Sequence, residues 1–123
     1  DGSLLRSGEP VADILGLTGY DALLANCSAP ESIPAALSVF ATGDKPFGGY
    51  ANGFTRITKD FLKAKPTVDA LEAREDVTPR VYARHALDWV KMGATIIGGC
   101  CEVGPAHIAE TARALTAAGH RIV

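Results

Sequence analysis

The stretch that most constrains this chain is Gly93-Ala94-Thr95-Ile96-Ile97-Gly98-Gly99-Cys100-Cys101, with Gly104-Pro105 close behind. A short apolar run bounded by glycines, Ala94 to Ile97, reads as a buried strand. Gly104-Pro105 reads as the opening of a helix, because proline in a first turn gives up an N–H that would have no partner there. Two of the chain's 3 cysteines therefore sit at a strand-to-helix junction. The third, Cys27, follows Leu23-Leu24-Ala25-Asn26 at a second junction of the same kind. In parallel α/β proteins chemistry concentrates at this edge, where strand ends converge and the loops beyond them carry the reactive groups. Three thiolates gathered from two strand ends would make a metal site with a fourth position open. On the residues alone two plainer readings stay open: buried small apolar cysteines, or a vicinal disulfide between Cys100 and Cys101.

The rest of the chain supports a strand–helix alternation. Glu9 to Leu17 is expected to form a short helix with Pro10 in its first turn, and Tyr20 to Ala25 a strand. Ser28-Ala29-Pro30-Glu31 fits a capping box, and the helix that follows carries Ile33, Ala36, Leu37 and Phe40 on one face. Phe47 to Ala51 is a second strand, weakened by Gly48 and Gly49. Phe54 to Asp76 reads as a long irregular connection of the kind that serves as a lid or is partly mobile. Its Glu72, Arg74, Glu75, Asp76 run reads as a solvated surface. Thr78-Pro79 starts a helix with an apolar stripe at Tyr82, Ala86, Trp89 and Val90, in which Tyr82 and Trp89 are core, and Gly93 ends it. The last helix should turn Ile108, Ala112 and Leu115 inward. The fold class is α/β, with about three strand–helix units and parallel strands. A closed eight-stranded barrel takes ~250 residues, so this chain can supply about half of one. Its open sheet edges call for the rest of a longer protein or for a second copy, a homo-oligomer.

Composition narrows the function classes. The chain has 123 residues, 47% hydrophobic and 21% charged, with a formal net charge of -2, which suits one soluble domain. No basic stripe suggests nucleic acid as a partner. No apolar run approaches the ~20 residues of a membrane span, and Asp1-Gly2-Ser3 does not resemble a signal peptide. An odd cysteine count with two of them vicinal points away from a disulfide framework and toward reduced thiols in the cytoplasm.

The run from Gly93 to Cys101 with Gly104-Pro105-Ala106-His107-Ile108 resembles the last strand, zinc motif and final helix of the homocysteine S-methyltransferase family. Asn26-Cys27 is similar to that family's upstream Asn-Cys zinc ligand, and Ala51-Asn52-Gly53 to its Pro-Asn-x-Gly signal, with alanine in place of the proline. Trp89 fits as well. Glu102 and Val103 depart from the small residues the family carries after its cysteine pair. The resemblance implies that residues 1–123 form the C-terminal part of a (β/α)8 TIM barrel. It also implies Cys27, Cys100 and Cys101 as ligands of Zn2+, and homocysteine with a small-molecule methyl donor as partners. Asn26, Asn52 and Glu102 are the candidate substrate-binding residues; the alternatives are ligand orientation or turn formation for Asn26 and Asn52, and a solvated loop carboxylate for Glu102. No catalytic group is expected beyond the metal ligands.

The implied chemistry suits these residues. Methyl transfer to sulfur needs a thiolate, and a free thiol with a pKa near ~8.5 is mostly protonated at neutral pH. Zinc removes the proton, and three thiolates at ~2.3 Å leave its fourth tetrahedral position for the substrate sulfur. Cys100 and Cys101 can share one ion if the backbone leaves strand geometry, a freedom that Gly98-Gly99 supplies. His107 is an alternative fourth ligand, against a hydrogen-bonding role at a helix end, and His85 and His120 read as surface residues. The chain alone is expected to show little or no turnover. The reading from a different class is a non-catalytic half-barrel that binds metal structurally or serves as an assembly module.

Overall fold

A computed structural model of the chain describes residues 2–54 and 74–123. Most of the expected irregular stretch from Phe54 to Asp76 lies outside the described residues. Three parallel strands, β1 (Leu23–Asn26), β2 (Phe47–Tyr50) and β3 (Ile96–Ile97), form one sheet in that order. The crossovers run through helix α1 (Ile33–Phe40) and helix α2 (Pro79–Lys91), and helix α3 (Pro105–Ala117) follows β3. This is the α/β architecture with parallel strands that the alternation predicts.

Period-two alternation sorts the two faces of the sheet. Leu23, Ala25 and Ile97 turn toward the helices and pack on a core of Ile33, Leu37 and Phe40 from α1, Phe47 and Ala51, and Tyr82, Ala86 and Trp89 from α2. Burying each large side chain of this set contributes roughly 1.5–3 kcal/mol. Leu24 and Ile96 face the other way and are 37% and 38% exposed. The expected stripes on α1 and α2 form, with Ala83 buried beside them and Val90 half-buried.

Gly48 and Gly49 do not weaken β2; they permit it. A Cβ on Gly48 would stand 1.7 Å from the carbonyl oxygen of Ile96, and one on Gly49 would stand 2.8 Å from Cγ2 of Ile33. The strand is squeezed between its neighbour and α1, and larger residues would push one of them away.

Several local expectations are corrected. Glu9 to Leu17 contains a 3-10 helix, Val11–Gly16, rather than an α-helix. Val11 is its one buried residue, so no apolar stripe supports further turns. The strand expected at Tyr20 to Ala25 begins at Leu23 and takes in Asn26, and β3 is shorter than Ala94 to Ile97. The Ser28 capping box does not form: Ser28 Oγ donates to the Asn26 carbonyl at 3.1 Å, and a 3-10 turn, Pro30–Ser32, leads into α1. Glu31, its intended partner, is taken by Arg74, whose guanidinium reaches it at 2.7 and 2.8 Å.

Thr78 caps α2, its Oγ1 accepting from the Val81 N–H at 3.3 Å. On α3, Leu115 and Thr111 are buried, whereas Ile108 is 42% exposed. Ile108 lies over Gly99 beside the free edge of β3, where no further strand covers it among the described residues.

Candidate metal centre

The two cysteine-bearing junctions lie at the same end of the sheet, as parallel strands require. At the end of β1 one more rung follows the strand, Cys27 N–H donating to Tyr50 O at 3.0 Å, and the pairing then slips by one residue, Asn52 N–H donating to Ser28 O at 2.9 Å. Cys27 itself adopts a left-handed backbone, φ 49°. That conformation costs a non-glycine residue about 1–2 kcal/mol, and a neighbour holds it in place. Asn52, buried at the end of β2, donates from Nδ2 to the Cys27 carbonyl at 2.7 Å and lies 3.7 Å from its Sγ. Its Oδ1 accepts from Phe54 N–H at 3.2 Å, so both ends of the amide are engaged within the chain.

Beyond β3 the backbone turns rather than extends. Cys100 N–H donates to Ala51 O at 2.9 Å, Val103 N–H to Cys100 O at 3.1 Å, and Gly53 N–H to Cys101 O at 2.9 Å. Glu102 carries the turn with φ 60°. Gly99 is obligatory, since a Cβ there would sit 2.2 Å from Cγ1 of Val103.

These turns bring three sulfurs together. The Sγ atoms of Cys27, Cys100 and Cys101 all lie within 4.8 Å of one another. The vicinal pair is 3.8 Å apart and the cysteines are free, so the disulfide alternative does not form. Two sulfurs bound to one tetrahedral ion at ~2.3 Å stand ~3.8 Å apart, so the donor set fits a thiophilic divalent cation. Burial, reinforced by the adjoining Cys27 thiol, pushes Cys100 up to about 12. Without added positive charge this group holds its proton; a coordinated cation reverses that preference. Cys101 is exposed, which leaves the cluster a face toward solvent.

Asn26 and Glu102, the other substrate candidates, are exposed next in sequence to the cysteines, and neither side chain has a partner among the described residues. His107 takes the hydrogen-bonding role rather than that of a ligand. Its Nδ1 accepts from Gly104 N–H at 3.2 Å, which leaves the proton on Nε2 to donate to Val77 O at 2.7 Å. His85 is not a plain surface residue, for it is half-buried and stacks on Trp89 with ring centroids 6.3 Å apart. His120 is exposed as expected. Of the charged run, Glu72 lies outside the described residues and Glu75 and Asp76 are exposed as expected, but Arg74 is half-buried, ties Glu31 to Asp76 and donates its backbone N–H to Gly53 O at 2.6 Å. The Arg74 guanidinium holds both carboxyls below their usual range.

Tyr82 was expected in the core and is there, but its hydroxyl has a second role. It donates to Gly98 O at 2.6 Å and accepts from Ala51 N–H at 3.0 Å, bridging β2 and β3 beside the cysteine pair. Burial pushes this hydroxyl up to about 12, so it stays a donor. The signal in the sequence was a tyrosine in an apolar stripe that phenylalanine would have filled.

Comparison with known proteins identifies relatives of the chain. The family model described as homocysteine S-methyltransferase matches residues 1–115. Homocysteine S-methyltransferase 4 of Zea mays is 29% identical across an alignment 123 positions long that takes in 94% of this chain and 33% of the relative. The chain thus spans about a third of the length of that curated relative. A match that takes in both junctions and nearly every residue between them leaves one assignment: the chain belongs to the homocysteine S-methyltransferase family.

Proposed function

We propose that this chain supplies the three thiolate ligands of a zinc centre used to transfer a methyl group from a small-molecule donor to the thiol of homocysteine, forming methionine. The observation that carries the reading is the convergence of Cys27, Cys100 and Cys101, all mutually within 4.8 Å, in a chain of this family. The protein would work in the cytoplasm, where thiols stay reduced. Among the described residues no helix is long and apolar enough to cross a membrane.

Zinc, when bound, would supply the positive charge that strips the proton from a coordinated thiol while leaving the sulfur nucleophilic. The chain's own residues do the rest. Cys27, Cys100 and Cys101 hold the ion, and their three negative charges keep the site electron-rich. Asn52 acts as a positioning residue, locking the Cys27 turn through its amide. Asn26 and Glu102, exposed on the same rim, are assigned to the amine and carboxylate end of the amino acid.

Residues 1–123 are read as the C-terminal part of a (β/α)8 barrel. The exposed Leu24 and Ile96 and the edge of β3, unpaired among the described residues, favour a surface that receives further strands or a second copy. The chain alone should accordingly show little or no turnover. The decisive experiment is Cys100→Ser in the intact protein, with bound zinc and methyl transfer measured together. Both should fall; a variant with full zinc and full activity would remove Cys100 from the role.

A further inference from the structure

Rungs of a parallel ladder alternate in direction as they climb the strand pair. Between β2 and β3, Gly98 N–H donates to Gly49 O at 3.2 Å and Cys100 N–H to Ala51 O at 2.9 Å. The rung between these two, running the other way, is Ala51 N–H to Gly98 O. It is not made directly. Ala51 N–H donates instead to the Tyr82 hydroxyl at 3.0 Å, and that hydroxyl donates onward to Gly98 O at 2.6 Å. One oxygen from α2 has been spliced into the sheet.

The splice lies one rung before the ligands. It satisfies both backbone groups while holding Gly98 farther from β2 than a direct bond would, because two hydrogen bonds span the gap in place of one. Cys100 is tied back to β2 immediately afterwards through Ala51 O, so the segment from Gly98 to Cys100 is bowed between two fixed points. On the other side of β2 the intervening side chain comes from the end of β2 itself rather than from a helix: Cys27 N–H bonds Tyr50 O directly, and Asn52 Nδ2 then takes the Cys27 carbonyl while Asn52 N–H moves on to Ser28 O.

The phenol is poorly free to move. Tyr82 is fully buried, with Trp89 edge-on at 5.7 Å and His107 edge-on at 6.0 Å. His107 is itself pinned at both nitrogens, to Gly104 and Val77. The aromatic cluster between α2 and α3 therefore fixes the position of one oxygen, and that oxygen fixes the strand end.

We propose that Tyr82 is a positioning residue for the metal ligands: its hydroxyl, spliced into the β2–β3 ladder, sets where Cys100 and Cys101 stand relative to Cys27. The inference rests on the zinc reading above. A phenol that merely filled a polar gap in the core would leave the geometry at sulfur unchanged when removed.

The test is Tyr82→Phe in the intact protein, read by zinc affinity and by the sulfur-to-metal charge-transfer and ligand-field bands after Co2+ substitution. Loss of a group that orients ligands costs roughly 10–100-fold in metal affinity, and that is the weakening expected, with displaced cobalt bands. Wild-type affinity together with a wild-type cobalt spectrum would overturn the proposal. If Tyr82→Phe does not fold, 3-fluorotyrosine at position 82 decides the matter. It keeps the ring's shape but is the stronger acid, so the cobalt bands should shift; unchanged bands overturn the proposal. A wild-type protein that bound neither metal would overturn both this and the zinc reading, whereas metal binding indifferent to either substitution would overturn this alone.

Discussion

The two junctions that carry the cysteines solve the same problem by different means. At the end of β1 a single cysteine is set by one further rung and a side chain: Cys27 N–H still bonds Tyr50 O, then the register slips, and Asn52 Nδ2 takes the Cys27 carbonyl and clamps its left-handed turn. At the end of β3 two adjacent cysteines bring their sulfurs to the same place, which no extended strand allows. There an oxygen from a helix stands in for one rung, Gly99 is used where a side chain would collide with Val103, and the backbone turns away after the Cys100 rung. Placing one cysteine costs a strained residue and a side-chain clamp. Placing two in succession requires the layer behind the sheet as well.

The comparison can be broken at several points. The largest effect should come from the ligands. Cys27→Ser and Cys100→Ser should each lower bound zinc and methyl transfer together, and metal analysis beside an activity assay would show whether either junction is dispensable. Next is the turn at β3. Gly99→Ala should destabilise the protein by about 1–3 kcal/mol, because overpacking at 2.2 Å forces Val103 or the backbone to shift. A thermal melt with zinc titration would show that loss, and an unchanged melt would mean the turn yields freely. At the β1 end, Asn52→Ala leaves the Cys27 carbonyl without its donor. Metal affinity should weaken roughly 10–100-fold, measured by competition with a chelator.

The proton provides a subtler probe. Metal-free Cys100 keeps its proton up to about 12, and binding must displace it. Acid therefore favours the proton over the metal, and zinc affinity should climb steadily from about pH 6 to about pH 8. A flat profile would mean that no thiol loses a proton on binding.

The smallest effect lies outside the comparison and calibrates it. Arg74→Gln should cost under about 1 kcal/mol at neutral pH, since Glu31 is 51% exposed and the pair is screened. Glu31 is held below its usual range, so this contribution is complete above the ordinary carboxylate pKa. It is lost as pH falls through the depressed value, and melts of the two proteins should converge in acid.

The legible part of the sequence was whatever depends on period and punctuation. The stripes on α1 and α2, the Thr78 cap, the Gly93 stop and the placing of both cysteine sites at strand ends all follow from spacing. What escaped depends on partners far away in the chain. Glu31 sits where a capping box wants it, yet Arg74 offers a charged two-pronged partner that outcompetes a lone backbone amide. Gly48 looks like a flaw in a strand until the carbonyl of Ile96 is seen pressed against it. Asn52 and Tyr82 could be named but not understood, because a side chain's role as clamp or splice is set by which backbone groups tertiary packing leaves without a mate.

Cys27 and Cys100 lie far apart in the chain, and the strands that precede them, β1 and β3, do not pair with each other; β2 stands between them. An ion held by both would be a clasp across the sheet, able to close once the first and last strands have docked. Metal capture would then report on completed assembly, and a chelator should loosen the ends of β1 and β3 before it disturbs the helices behind them.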